Sequence, residues 1–154
     1  MELKLGKILL VEDNPKDVEL ILAALGEHHL ANEVVVARDG AEALDYLHRR
    51  GKFAGRPAGN PVVVLLDLKM PKIDGIEVLR TMKSDLQLKL TPVVMLTSSR
   101  EEQDLLQSYR EGVNGYVVKP VDFQYFMKAV KDLGVFWAVD NEPPPGSLRS
   151  RTTV

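Results

Sequence analysis

The chain has 154 residues, of which 45% are hydrophobic and 27% charged, as expected for one globular domain with a sizeable core. Its net charge of −2 offers no positive field for nucleic acid or an anionic membrane, and the absence of cysteine excludes disulfides, thiolate catalysis and cysteine-ligated zinc. No signal-peptide core or stretch of ~20 apolar residues is present, so we expect a cytoplasmic protein without membrane or nucleic-acid partners.

Strands and helices are predicted to alternate along the chain as five β/α units. The strands are short apolar runs rich in Val, Ile and Leu, which is typical of strands buried on both faces of a parallel sheet. They occupy residues 7–11, 33–38, 62–66, 93–96 and 115–118. The chain shows no internal repeat and no second domain.

The helices that follow these strands begin at recognisable caps. Asn14 precedes a proline at the first helical position, which predicts a helix that fades near residues 28–29. Asp39 and Glu42 have capping-box spacing at the start of the second helix. The third helix follows a turn over residues 69–75. The remaining boundaries are Ser98 or Ser99 before residues 100–111, Gly112 after them, and Asp122 before the last helix.

Two segments lack helical or strand periodicity. Residues 51–61 are rich in Gly, Pro, Lys and Arg and predict a loop of about a dozen residues. Residues 141–154 are rich in Pro, Ser and Arg, and we expect this tail to be disordered. The sequence therefore predicts one domain over residues 1–140, ending in an extended helix, and a tail over residues 141–154.

Polar groups follow four of the predicted strands at the point where each strand ends. They are Glu12 and Asp13 after the first strand, Asp67 after the third, Thr97 and Ser98 after the fourth, and Lys119 after the fifth. In an open α/β sheet, ligands bind outside the carboxyl ends of the strands. If these four strands are neighbours, three carboxylates, a hydroxyl and an ammonium meet at one edge.

This set of groups suits phosphoryl transfer. The Asp67 carboxylate can attack phosphorus and form an acyl phosphate. Glu12 and Asp13 offer the few hard oxygen ligands that Mg²⁺ uses, while Lys119 and the Thr97 hydroxyl can interact with phosphate oxygens. Each residue alone is weak evidence, since an acid pair is usually a solvated turn and an Asp after a strand is usually a cap. Their joint occurrence at strand ends predicts a phosphoryl-transfer site.

The segments ILLVEDNP, VVVLLDLKMPKIDG, PVVMLTSS and GYVVKP resemble the receiver domain of two-component response regulators, over residues 6 to about 134. The resemblance implies an α/β, flavodoxin-like (βα)5 fold, doubly wound, with five parallel strands in the order 2-1-3-4-5. It also implies that Asp67 accepts a phosphoryl group from a sensor histidine kinase or phosphotransfer protein and that the domain signals through a conformational switch.

The same resemblance implies roles for individual residues. Mg²⁺ would be held by Glu12, Asp13, Asp67 and the backbone carbonyl of Lys69. The phosphoryl group would be contacted by Thr97 and Lys119.

The same resemblance implies which residues take part in the conformational switch and which ones set the lifetime of the phosphoryl group. Thr97 and Tyr116 correspond to the switch pair. Lys69 and Ser99, each two positions after Asp67 or Thr97, would tune water access and hence the lifetime of the phosphoryl group.

Three features resemble the stand-alone receivers paired with phytochrome-type histidine kinases. They are the long loop over residues 50–61, the lack of a following effector domain, and a last helix that continues through residues 135–139. That helix end contains Val135, Phe136, Trp137 and Val139 and is apolar on every face. Because such a patch needs to be buried, we expect a homodimer through it, although the segment could instead fold back over its own domain.

Three other functions compete with this interpretation. A phosphatase of the haloacid-dehalogenase type would need a second acid where Lys69 stands. An FMN-binding flavodoxin would need a phosphate loop where Glu12 and Asp13 place negative charge. A receiver-fold scaffold would act without phosphorylation. We expect no enzymatic activity beyond the protein's own phosphotransfer and dephosphorylation.

Overall fold

The computed structural model describes residues 7–26, 34–98 and 102–119, which form one five-stranded parallel sheet flanked by helices. The strands are β1 (Ile8–Val11), β2 (Val34–Ala37), β3 (Val63–Asp67), β4 (Val93–Thr97) and β5 (Gly115–Val118). The helices are α1 (Pro15–Gly26), α2 (Gly40–His48), α3 (Gly75–Lys83) and α4 (Glu102–Arg110). The strand order β2-β1-β3-β4-β5 confirms the predicted fold.

The central strands are buried on both faces, as their unbroken apolar runs predict. Successive side chains of a strand point to opposite faces, so Leu9 and Leu66 belong to one core cluster while Leu10 and Leu65 belong to the other. α2 and α3 contribute to the first cluster, and α1 contributes to the second. The sheet is therefore covered by helices on both sides, which is the doubly wound arrangement.

The predicted caps fix where α1 and α2 begin. Asn14 Oδ1 accepts hydrogen bonds from the backbone N–H groups of Lys16 and Asp17 at 2.9 and 3.3 Å. Asp39 Oδ1 accepts from the Glu42 N–H at 2.8 Å. In a capping box, the Glu side chain would accept from the cap residue itself. Here Glu42 Oε1 accepts instead from the N–H of Arg38, one residue earlier, at 3.3 Å.

The long connection after α2 is a loop, as predicted, but it is firmly anchored. It begins with a 3-10 turn over Gly51–Phe53. Phe53 then packs edge-on against the Tyr46 ring, with the ring centroids 5.1 Å apart. The Arg56 guanidinium lies over the same ring at 4.1 Å, and its Nε donates to the Tyr46 carbonyl at 2.8 Å.

Several predictions concern parts of the chain outside the described residues. α4 starts at Glu102, and the cap candidate Ser99 lies just before the described segment, whereas Gly112 has a φ of 98° and follows the helix as predicted. The last helix from Asp122, its end at Val135, Phe136, Trp137 and Val139, and the tail over residues 141–154 also lie outside the described residues. Within residues 7–26, 34–98 and 102–119, no helix has both the length and the apolar character needed to cross a membrane.

Candidate phosphoryl-transfer site

Three carboxylates meet where β1 and β3 end side by side. Val11 pairs with Leu66 across these strands, so the next residues, Glu12 and Asp67, are neighbours at the carboxyl end of the sheet. One carboxylate oxygen each from Glu12, Asp13 and Asp67 lies within 4.8 Å of the others. Glu12 and Asp67 are buried, with 1% and 6% of their surface exposed, whereas Asp13 is exposed. Strand pairing therefore brings together the three acids that the sequence placed at two separate strand ends.

Glu12 is held in place through both its backbone and its side chain. Its N–H donates to the Ala37 carbonyl at 3.0 Å, which continues the β1–β2 ladder by one residue. Its Oε2 accepts from the Asn14 N–H at 3.1 Å. Its Oε1 accepts from Lys119 Nζ at 2.5 Å. This buried carboxylate thus has a defined orientation before any cation is added.

Lys119 follows β5 and directs its ammonium group into the acidic cluster. Its side chain is 12% exposed, and Nζ donates to Glu12 Oε1 and to Asp17 Oδ2, the latter at 2.9 Å. Asp67 Oδ1 lies 3.7 Å from the same nitrogen, beyond hydrogen-bond distance. Burial lowers the pKa of Lys119, but the hydrogen bonds to Glu12 and Asp17 and the charge of Asp67 outweigh it and leave the pKa raised. The lysine therefore stays charged.

Burial and the neighbouring acids make the Asp67 carboxyl group harder to ionise, whereas Lys119 keeps its charge. Burial, followed by the negative charge of Glu12, raises the pKa of Asp67 from 3.8 to about 8, although the charge of Lys119 partly opposes the shift. A protonated carboxyl group is a poor nucleophile. A divalent cation bound to this oxygen cluster would favour the ionised form, so metal binding and nucleophile activation would be coupled.

The donor set fits a hard divalent cation. Carboxylate oxygens are the ligands that Mg²⁺ prefers, and Mg²⁺ normally keeps several waters and one or two carboxylates. The acids Glu12, Asp13 and Asp67 could hold such an ion while leaving coordination positions open toward a phosphate oxygen.

The turn after β3 depends on a glycine whose role the sequence analysis missed. A Cβ atom at Gly75 would lie 2.4 Å from the backbone oxygen of Asp67 and 2.9 Å from the Cα of Leu68. The Gly75 N–H also donates to the Leu68 carbonyl at 2.8 Å, and Asp74 caps α3 by accepting from the Glu77 N–H. Only glycine allows the start of α3 to approach the Asp67 backbone this closely.

The four remaining residues predicted for the phosphoryl-transfer site differ in their exposure and in their contacts. The Lys69 side chain is largely exposed, and its Nζ lies 3.5 Å from Asp104 Oδ2 on α4. Thr97 ends β4 in register with Val118, which places its backbone beside the residue that precedes Lys119. Tyr116 is partly buried and packs against the core. Ser99 lies outside the described residues, so its proposed effect on lifetime stays a prediction.

Asp17 is a second residue at the site that the sequence patterns did not predict. An acid in the first turn of a helix is ordinarily explained by favourable interaction with the helix dipole. Asp17 was therefore not predicted to belong to the site. Its position four residues after Asp13 is the hint that the sequence contained.

Comparison with known proteins adds an independent result. A family model described as "Response regulator receiver domain" matches residues 8–131. The solved structure of the bacteriophytochrome response regulator RtBRR has 61% sequence identity and a TM-score of 0.81, covering 94% of this chain and 87% of that one. The bacteriophytochrome response regulator AtBRR has 65% identity and a TM-score of 0.80, covering 90% and 99% respectively.

A more distant relative has been solved with a metal ion. Response regulator Rcp1 from Synechocystis sp. is 38% identical over 130 residues, which is 84% of this chain and 87% of Rcp1. The structure of its Mn²⁺-bound form has a TM-score of 0.73 at 37% identity, covering 90% of this chain and 99% of that chain.

Proposed function

Because the chain belongs to the response regulator receiver-domain family, whose members act in two-component signalling, we propose that Asp67 is its phosphoacceptor. The observation that carries this assignment is the convergence of Glu12, Asp13 and Asp67 at the carboxyl ends of β1 and β3, with the ammonium of Lys119 beside Glu12 and Asp67. In the proposed reaction, a carboxylate oxygen of Asp67 attacks phosphorus, the P–N bond of a phosphohistidine breaks, and the imidazole leaves with the electron pair.

The neighbouring residues stabilise charge during this transfer. Glu12, Asp13, Asp67 and the Lys69 carbonyl would hold Mg²⁺, which when bound supplies positive charge against the phosphate oxygens. Lys119 and the Thr97 hydroxyl would contact those oxygens as charge develops on them. The Mn²⁺-bound form of the relative Rcp1 supports a divalent cation at this site, and Mg²⁺ is our specific proposal.

Phosphorylation with a small donor tests the assignment. In the presence of Mg²⁺ and acetyl phosphate, intact mass spectrometry should show one added phosphoryl group on the wild-type protein. Asp67→Asn should show none, because an amide does not attack phosphorus. Asp45→Asn, which changes an acid on α2, is the matched control and should be modified like the wild type. Undiminished modification of Asp67→Asn would place the phosphoacceptor elsewhere, and an unmodified wild type would favour the scaffold function.

We propose a phytochrome-type histidine kinase as the physiological donor, with the reaction taking place in the cytoplasm. The identities of 61% and 65% to two bacteriophytochrome response regulators support this choice. A phytochrome kinase labelled on its histidine should transfer phosphate to this protein faster than a kinase of another sensor class does. Equal transfer rates from both kinases would argue against a phytochrome partner.

The switch and the lifetime of the phosphoryl group are assigned to neighbouring positions. We propose that Thr97 and Tyr116 change conformation together on phosphorylation, and that Lys69 and Ser99 limit water access. Dephosphorylation after removal of the donor should therefore change rate in Lys69→Ala and Ser99→Ala, while Lys89→Ala serves as an exposed control. Unchanged decay in both variants would remove the lifetime assignment.

We also propose a homodimer formed through the apolar segment that contains Val135, Phe136, Trp137 and Val139, which the sequence predicts to be a helix end. The all-round apolar character of this sequence supports burial against a second copy. Light scattering at high concentration should give twice the 17.2 kDa chain mass, and the double variant Phe136→Asp, Trp137→Asp should give one chain mass while keeping its circular dichroism. A wild-type protein of single chain mass would contradict the dimer.

A further inference from the structure

We propose that Asp17 is a positioning residue that holds the Lys119 ammonium for phosphoryl transfer at Asp67. This inference rests on the proposed function of the site. Its basis is the geometry of one nitrogen, because Lys119 Nζ donates to Asp17 Oδ2 at 2.9 Å while it stands 3.7 Å from Asp67 Oδ1.

The Asp17–Lys119 pair differs from an ordinary surface ion pair. Exposed pairs contribute little because water screens them and long side chains lose entropy in forming them. Here the lysine side chain is 12% exposed and the aspartate side chain 30%. A charge-assisted hydrogen bond is stronger than one between neutral groups, and solvent screens this partly buried pair less than an exposed one.

The backbone of Asp17 is fixed by the same cap that orients Glu12. Asn14 Oδ1 accepts from the Asp17 N–H at 3.3 Å, and the Asn14 N–H donates to Glu12 Oε2 at 3.1 Å. The start of α1 therefore connects the two carboxylates that hold Lys119. Asp17 is held at a defined distance from the acidic cluster without being one of its three metal-ligand candidates.

Cation binding gives Asp17 its separate role. A divalent ion that takes Glu12 as a ligand competes with Lys119 for that carboxylate. Within the described part of the chain, Asp17 then remains as a carboxylate hydrogen-bonded to the ammonium. The Lys119 Nζ lies 3.7 Å from Asp67 Oδ1, so a phosphate oxygen beside both groups could accept from the ammonium without breaking a Lys119–Asp67 hydrogen bond. Asp17 thus keeps the positive charge beside the acceptor carboxylate without letting it bind there directly.

A double-mutant cycle tests whether Asp17 acts through Lys119. Phosphorylation rates with acetyl phosphate would be measured at saturating Mg²⁺ for wild type, Asp17→Ala, Lys119→Ala and the double variant. Asp17→Ala should slow the wild-type reaction about three- to tenfold. It should leave the Lys119→Ala reaction unchanged, because the residue that Asp17 positions is already absent. Asp17→Asn, which keeps an acceptor oxygen, should retain part of the rate.

Two additional measurements keep the test decisive. Glu19→Gln removes an exposed acid from the same helix and should leave the rate unchanged, which controls for charge alone. Where Lys119→Ala reacts too slowly, the cycle is repeated with equilibrium binding of beryllium trifluoride, an anion that mimics an acyl-bound phosphoryl group. An equal loss on Asp17→Ala with and without Lys119 would overturn the positioning role while leaving phosphorylation of Asp67 intact. A wild-type protein that is not phosphorylated would instead overturn the proposed function.

Discussion

Glu12 and Lys119 are separated by 107 positions in the sequence, yet their carboxylate and ammonium groups lie 2.5 Å apart. The lysine therefore occupies a carboxylate oxygen that a divalent cation at this cluster would also use. A divalent cation that takes Glu12 Oε1 as a ligand would displace Lys119 from it, so the two cations would compete for one buried acid.

This competition predicts that loss of Lys119 strengthens metal binding. Lys119→Met should raise the Mg²⁺ affinity by about fivefold, because a nearby unit charge contributes on the order of 1 kcal/mol even in largely solvated surroundings. Isothermal titration calorimetry measures the affinity directly. Lys16→Met, which removes an exposed lysine from α1, is the control and should change the affinity little. An Mg²⁺ affinity that falls in Lys119→Met would contradict the competition.

The raised pKa of Asp67 predicts a specific dependence of stability on pH. Its ordinary value is 3.8 and its value in the metal-free fold is about 8. Between these values the folded state binds more protons than the unfolded state, so the contribution of Asp67 is fully present below about pH 4 and is lost as the pH rises toward 8. Urea denaturation in chelator should show this loss in the wild type.

Asp67→Asn is the matched control for that pH dependence. The amide resembles the protonated acid and does not titrate, so the free energy of unfolding of the variant should exceed that of the wild type increasingly as the pH rises from 4 to 8. Titrating groups outside the acidic cluster are common to both proteins and cancel in the difference. A constant difference over this range would show that Asp67 has no raised pKa.

Mg²⁺ bound at the proposed site should stabilise the protein, because a ligand that binds the folded state and not the unfolded chain raises the free energy of unfolding. Differential scanning calorimetry should show a melting temperature that rises with Mg²⁺ concentration. Asp13→Asn removes one of the three crowded charges, so it should melt higher than the wild type without metal and gain less from Mg²⁺. Asp45→Asn on α2 should keep the wild-type gain. A metal-free Asp13→Asn protein that melts clearly below the wild type would count against repulsion among the three acids.

Gly75→Ala should destabilise the fold by about 1–3 kcal/mol, because its Cβ would overlap the backbone at Asp67. Phosphorylation of Asp67 should slow as well, since the strain falls on the acceptor's own peptide unit. Gly55→Ala provides the matched control, because a Cβ there would have no atom within 4 Å. Denaturant titration of both variants measures the difference. Similar stability in the two would mean that the β3–α3 turn relaxes freely.

The sequence allowed the sheet and the acidic cluster to be predicted because both depend on local patterns. Each strand is an unbroken apolar run, and Glu12, Asp13, Asp67 and Lys119 come directly where such runs end. The position of Asp17 could not be predicted in the same way, since its partner Lys119 lies 102 residues away and an acid at a helix start has an ordinary local explanation. The close approach at Gly75 also depends on three-dimensional packing that its neighbours in sequence do not encode.

Because the loop over residues 51–61 is anchored, a protein that binds on that side of the domain would contact a surface that is already ordered. Arg56 donates to the carbonyls of Tyr46, Pro57 and Gly59, so a single guanidinium ties the loop both to α2 and to itself. A flexible loop of this length would lose conformational entropy when a partner bound it. This loop has already lost that entropy during folding. A protein that docks against residues 51–61 would meet a preformed epitope, and recognition there would depend on shape complementarity more than on induced fit.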